Sequence, residues 1–175
     1  MVTKEDLAQA ILELKQSNLR LEASQEKSDR RLDKVAKLVG NISNNQGGVA
    51  EEFFINSLAP TQELGGIQYD FMETNVHRHI KSKNLRDEFD IVLVNGKDIA
   101  IVEVKYNAHE NDVDTLITRK IDNFKKLYPE YKDYTHHLGL ASFKVNEKVK
   151  QKALDNNVMI LQRKGDIVET ILPIK

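Results

Sequence analysis

Asp87-Glu-Phe-Asp90-Ile-Val-Leu-Val-Asn95-Gly96-Lys-Asp-Ile-Ala-Ile-Val-Glu103-Val-Lys105-Tyr106 sets two strongly apolar runs on either side of Asn95-Gly96. Asn-Gly is the favoured pair for a two-residue hairpin turn, so the turn is expected to pair Val94 with Lys97. That register puts Asp90 opposite Ile101 and Glu103 opposite Glu88. Directly paired residues share a face, and period-two alternation gathers Ile99, Ile101, Glu103 and Lys105 on it with Asp90. Asp90 and Glu103 are then diagonal neighbours, roughly 7 to 8 Å apart along the backbone. Two carboxylates so placed can both reach one divalent cation at about 2.0 to 2.1 Å.

Carboxylates among Ile, Val and Leu carry a desolvation cost of several kcal/mol unless a cation or hydrogen bonds offset it. Hard oxygen donors in a chain without cysteine suit Mg²⁺ or Mn²⁺. Such a metal polarises a phosphate and lowers the pKa of a bound water. A lysine on the same face orients that water, helps to deprotonate it, or neutralises charge developing on the phosphate. Glu-x-Lys on an ordinary exposed strand would be a solvated pair. Here the strand Ile99-Ala-Ile-Val-Glu-Val-Lys105 is apolar on both faces, unlike a strand open to water.

Outward from the hairpin, the pattern predicts a helix over 49–59 ended by Pro60, a loop through Gly65-Gly66, and one or two strands within 67–81. Strands follow at 87–94 and 98–106. A helix over 111–128 ends at Pro129, then come a strand at 135–142, a helix at 145–156, and strands at 158–163 and 167–172. Strands mixed with helices, several apolar on both faces, make an α/β sandwich.

The N-terminal part reads differently. Residues 4–39 contain neither proline nor glycine, and the apolar positions follow a seven-residue repeat. Leu7, Leu14, Leu21, Ser28, Val35 and Ile42 take one core position of that repeat. Ile11, Asn18, Gln25, Leu32 and Val39 take the other. The central polar cluster of Asn18, Gln25 and Ser28 suits a two-stranded register, so a parallel homodimer through residues 7–42 is the expectation. A single amphipathic helix folded onto its own globular part uses the same stripe. Asn41 to Gly48, polar and ending in paired glycines, suits a hinge or a helix break, giving a coiled-coil helix over 1–43 and a second domain over 47–175.

Composition narrows the function. The 175 residues carry 26 Lys plus Arg against 27 Asp plus Glu, a net charge of −1, with 40% hydrophobic residues. That balance fits a globular domain with an appendage and argues against a uniformly basic nucleic-acid coat. No apolar run is long enough to span a bilayer, and MVTKEDLAQA has charges where a signal peptide needs apolar residues, so the chain reads as cytoplasmic. The lack of cysteine excludes zinc-thiolate sites, iron–sulfur clusters and thiol nucleophiles. With no glycine-rich phosphate loop, nucleophile elbow or HExxH helix, ATP use, serine hydrolysis and zinc proteolysis have no support.

Asp90 followed by Glu103-Val104-Lys105 resembles the signature of the PD-(D/E)xK nuclease superfamily, an Asp beginning one strand and Glu-x-Lys on the next. Gly47-Gly48-Val-Ala-Glu51-Glu-Phe-Phe is similar to the region that supplies a further glutamate in bacterial proteins joining a coiled coil to such a domain; Glu51 is the choice and Glu52 the reserve. Phe124-Lys-Lys-Leu-Tyr-Pro-Glu-Tyr131, Leu138-Gly-Leu-Ala141, Val158-Met-Ile-Leu161 and Gly165-Asp-Ile-Val-Glu169 extend the likeness over essentially the whole chain. Phe89 stands where the superfamily has its naming proline, and no Gln-x-x-x-Tyr element follows Lys105.

The resemblance implies a restriction-endonuclease-like central mixed sheet flanked by helices, preceded here by the coiled-coil helix. It implies a Mg²⁺- or Mn²⁺-dependent nuclease leaving 5′-phosphates, with DNA the expected substrate and RNA not excluded. Asp90 and Glu103 would be the metal ligands, Lys105 would position the attacking water, and Glu51 would complete the outer shell. The rival is a catalytically silent module that binds nucleic acid or a protein partner. Arg78, Lys81, Lys83 and Arg86, with His77 and His79 among them, can guide a phosphate backbone into the site or be a solvated hairpin edge. Arg119 and Lys120 on the helix after the motif can contact DNA or form a solvated helix face.

Overall fold

A computed structural model describes residues 45–173 throughout, and residues 9, 13–22, 24 and 27 before them. The chain divides into two units, Met1–Asn45 and Gln46–Lys175. In the first, the described residues are helical and exposed, Leu14 and Leu21 of the repeat included. Leu7, Ile11, Gln25, Ser28, Leu32, Val35, Val39 and Ile42 lie outside the described residues, as does most of the expected coiled coil. No helix among the described residues is long and apolar enough to cross a membrane.

Helix α1 runs over residues 45–58. It begins earlier than the expected residue 49, because Gly47 and Gly48, expected to break a helix, are helical. Glycine costs roughly 1 kcal/mol in a helix but does not forbid it, and packing of Ala50, Phe54 and Leu58 on the sheet outweighs that cost. A small hairpin of β1 (Glu63–Leu64) and β2 (Ile67–Gln68) follows. Its turn is Gly65-Gly66, at φ 62° and 77°. Glycine is needed at 65 twice over, since a Cβ there would also stand 2.8 Å from Met159 Sδ.

The main sheet takes β3 (Phe71–Ile80), β4 (Leu85–Val94), β5 (Asp98–Asn107), β6 (Thr135–Lys144), β7 (Val158–Lys164) and β8 (Ile167–Ile171) in chain order. β3–β4, β4–β5 and β7–β8 pair antiparallel, and β5–β6 and β6–β7 parallel. Each parallel step needs a crossover. The first contains α2 (Glu110–Thr115) and α3 (Ile121–Leu127), and the second α4 (Glu147–Asp155). α1 covers one face, packing on Ile91, Leu93, Ala100, Val102, Val104, Ala141 and Leu161. α3 covers Val92, Ile99 and Ile101 on the other, and α2 with α4 covers Leu140, Val158 and Ile160 there. The chain is thus a six-stranded mixed sheet flanked by helices.

Two departures from the expected elements bear on the site. The helix expected over 111–128 is divided by a π-helical turn, Leu116–Lys120, between α2 and α3. The β4–β5 hairpin is also wider than expected. Val94 pairs with Ile99, not Lys97, and the ladder continues to Ile91–Val102. A type I′ turn needs positive φ at both central residues, and neither Asn95 nor Gly96 has it. Asn95 closes the loop with its side chain instead. Its Oδ1 accepts the amides of Lys97 and Asp98 at 2.9 and 2.7 Å.

Candidate active site

The corrected register brings Asp90 level with Glu103, one position beyond the last ladder pair. The slip of two residues leaves both on the expected face, because only an odd slip exchanges faces. At this point β4 is released on both sides. On the β3 side the ladder runs through Thr74–Ile91 and resumes at Val76–Phe89, skipping Asn75 and Asp90. Asn75 sits at φ 51°, a bend that accompanies the break. Accordingly Phe89 packs with α3 while Ile91, two residues on, packs with α1. On the β5 side Asp90 Oδ2 accepts the amide of Val104 at 2.7 Å.

Glu103 is 8% exposed and sits between two lysines. Lys105 Nζ donates to Oε1 at 2.8 Å. Lys120 Nζ lies 3.1 Å from Oε2 as an ion pair, although Oε2 accepts no hydrogen bond of good geometry among the described residues. Burial, and then the charge of Glu103, push the Asp90 carboxyl up to about 6, against the Val104 amide and the charges of Lys105 and Lys120. Burial alone would lower the Lys105 ammonium; the charge and hydrogen bond of Glu103 outweigh it and raise its pKa. Lys105 is therefore an ammonium at neutral pH, a donor and counter-charge and not a base.

Lys120 departs from the role expected of it. The π-helical turn directs it inward, where it is 7% exposed and its ammonium donates to the Glu88 carbonyl. It also lies 3.4 Å from Asp87 Oδ1. A cation so enclosed is not presented to a phosphate backbone. Burial alone would raise the buried Asp87 carboxyl, but hydrogen bonds from Asn123 and the Glu88 amide, with the charges of Lys120 and Arg119, hold it below the ordinary value. Arg119 pairs with Asp87 at 3.0 Å yet remains half exposed. It lines both a cleft of about 180 Å³, shared with Glu103, Lys105, Asp112 and Lys120, and a groove of about 560 Å³, shared with His77, Arg78, His79 and Arg86.

Other expected residues fall in different places. Arg78 ties β3 to α3, donating to the Leu127 carbonyl at 2.8 Å, pairing with Glu130 at 2.8 Å and stacking 3.9 Å over Tyr128. Lys81, Lys83 and Arg86 are exposed, the first two on the 3₁₀ turn between β3 and β4. Glu51 is half-buried on α1 and Glu52 is exposed. Among the described residues neither has a hydrogen bond or ion pair with Asp90, Glu103 or Lys105. The carboxylate that lines the cleft beside Glu103 is Asp112, which sequence reasoning missed. Its signal was local: Asp112 is the third residue of α2, and its Oδ2 accepts the His109 amide at 2.7 Å in a capping box. Asp87 carries no comparable sequence signal, because the side chains that pair with it, Arg119 and Asn123, lie 32 and 36 residues away.

Among the described residues no group of three or more His, Cys, Asp and Glu side chains is arranged to hold a metal ion. Asp90 and Glu103 nonetheless fit a hard divalent cation. They are adjacent carboxylates, Glu103 buried and Asp90 partly so, Asp90 is pushed up to about 6 by burial and then by the charge of Glu103, and Glu103 Oε2 has no directional partner among the described residues. Mg²⁺ needs only one or two protein carboxylates, since it keeps several waters.

No protein-family model matches the chain, and no curated protein matches it. Among solved structures it is similar to protein VC1899 from Vibrio cholerae, at 19% identity and a TM-score of 0.42, over 65% of this chain and 28% of that one. It is also similar to the small subunit (R.BspD6I2) of the heterodimeric restriction endonuclease R.BspD6I, at 13% identity and a TM-score of 0.34, over 54% of each chain. The match thus spans about a quarter of the first protein and half of the second.

Proposed function

We propose that the chain is a metal-dependent nuclease of the restriction-endonuclease-like type that hydrolyses phosphodiester bonds, with DNA as its substrate. The observation that carries this reading is the meeting of Asp90, Glu103 and Lys105 where β4 and β5 part, with Glu103 Oε2 left without a directional hydrogen bond among the described residues. Asp90 and Glu103 would hold Mg²⁺ or Mn²⁺, which when bound supplies a polarised phosphate and a water of lowered pKa. Lys105, as an ammonium, orients the water and offsets charge developing on the phosphate. Arg119, at the junction of cleft and groove, would bind the adjoining backbone with Arg86 of the same groove, and Lys81 and Lys83, exposed on the 3₁₀ turn, would add phosphate contacts. Glu51 belongs to the outer shell of the metal in this reading. A homodimer through residues 7–42 would bring two such sites to one duplex.

One observation favours the silent alternative: the charge of Glu103 is already faced by two lysines. One experiment separates the readings. Purified chain is incubated with linear, circular and single-stranded DNA and with RNA, in Mg²⁺, Mn²⁺ or EDTA, beside Lys105→Ala. Cleavage that needs the metal and falls about 10²- to 10³-fold in the variant is expected of the nuclease. Equal inertness of both proteins on every substrate overturns it in favour of the binding module.

A further inference from the structure

Lys120 is a lysine with almost no contact with water and three oxygen neighbours: Glu103 Oε2, Asp87 Oδ1 and the Glu88 carbonyl. Asp87 is itself held by Asn123 Nδ2 at 2.7 Å and by Arg119. The ammonium therefore has a built socket on the side of Glu103 away from Lys105. Sites that use two metals place them roughly 3.5 to 4 Å apart, on either side of the transferring group. A second ion sharing Glu103 would approach Oε2, and the ammonium stands there already, 3.1 Å away.

From this geometry we infer that the site takes a single divalent cation, between Asp90 and Glu103, and that Lys120 supplies the positive charge a second metal would otherwise bring. The inference rests on the nuclease reading and makes Lys120 a positioning residue that fixes metal stoichiometry. Two divalent charges beside a buried ammonium would repel it strongly in a partly desolvated cleft. Without Lys120, Glu103 Oε2 and Asp87 lose their shared counter-charge, and Asp112 lines the same cleft. Those oxygens then form a second acidic locus for a hard cation.

The test counts Mn²⁺ bound to the full chain by titration calorimetry and, independently, by loss of the free-Mn²⁺ electron paramagnetic resonance signal. The expected result is one ion per wild-type chain, one for Lys120→Arg and two for Lys120→Met. Thermal melting of each metal-free protein establishes that the variant is folded. Two ions in the wild type overturn the inference and leave the nuclease reading standing. No ion in the wild type overturns both. One ion in a cooperatively melting Lys120→Met shows a structural strut only and also overturns it. Where Lys120→Met does not fold, Lys120→Gln takes its place with the same expected count, and a wild-type count of two remains decisive.

Discussion

Asp90 Oδ2 accepts the backbone N–H of Val104 at 2.7 Å, across the point where the β4–β5 ladder has ended. A side chain stands in for a missing ladder bond. The bond holds the carboxylate beside Glu103, against the burial and the repulsion that together raise its pKa.

That arrangement costs stability. The Asp90 carboxyl has an ordinary value of 3.8 and rises to about 6 when folded, so the folded state binds its proton more tightly than the unfolded state does. Stability from this group is lost as pH rises from near 4 to near 6 and stays lost above, by about 3 kcal/mol. Asp90→Asn, which can still accept the Val104 amide, is expected to melt roughly 5 to 10 °C above the metal-free wild type at pH 7.5 and level with it at pH 4. Melting curves across that range check it; a lower-melting variant at pH 7.5 refutes it.

Asp87, three residues earlier, carries the opposite sign. Its folded pKa is lowered, so its contribution is present above its ordinary value of 3.8 and disappears as pH falls through the folded value. Asp87→Asn is expected to cost about 3 kcal/mol at neutral pH, because it leaves Lys120 buried with less counter-charge. Urea unfolding at pH 7 and near pH 2 measures it, the difference from wild type shrinking in acid.

Phe89→Pro would install the residue that names the superfamily, and it is expected to destabilise by about 3 to 5 kcal/mol. The Phe89 ring is fully buried, with centroids 5.0 Å from Phe124 and 6.0 Å from Tyr128. Its backbone also pairs with Val76, and proline has no N–H to offer a ladder. A urea midpoint within error of wild type would contradict this.

The basic segment divides by role. Lys81→Glu, Lys83→Glu and Arg86→Glu together are expected to weaken oligonucleotide binding in EDTA and to reduce the slope of log affinity on log salt by roughly 2 to 3, with unchanged melting. Arg78→Ala instead lowers the melting temperature, because Arg78 links β3 to Leu127, Tyr128 and Glu130. Anisotropy and melting measured side by side distinguish the two.

The elements themselves were legible. Alternation and apolar runs place every main strand within a few residues, since burying both faces of a central sheet demands Ile, Val and Leu whatever the details. The meeting of Asp90, Glu103 and Lys105 was legible for a similar reason, as face depends only on parity and survives an error of two in register. The turn was not, because Asn95-Gly96 serves a two-residue turn and a side-chain-closed loop alike, and the choice was made by the strands it joins.

Strands, faces and the acidic pair with its lysine thus follow from local periodicity. The remainder follows from packing. Only the packed sheet shows that Asp90 lies level with Glu103, that the π-helical turn directs Lys120 inward while Arg119 stays at the surface, and that Asp112 lines the cleft with Glu103. Local pattern records which face a residue takes, because that follows from backbone geometry. It does not record which distant charge meets it there, because the energy of a buried ion pair exists only once both partners have left water.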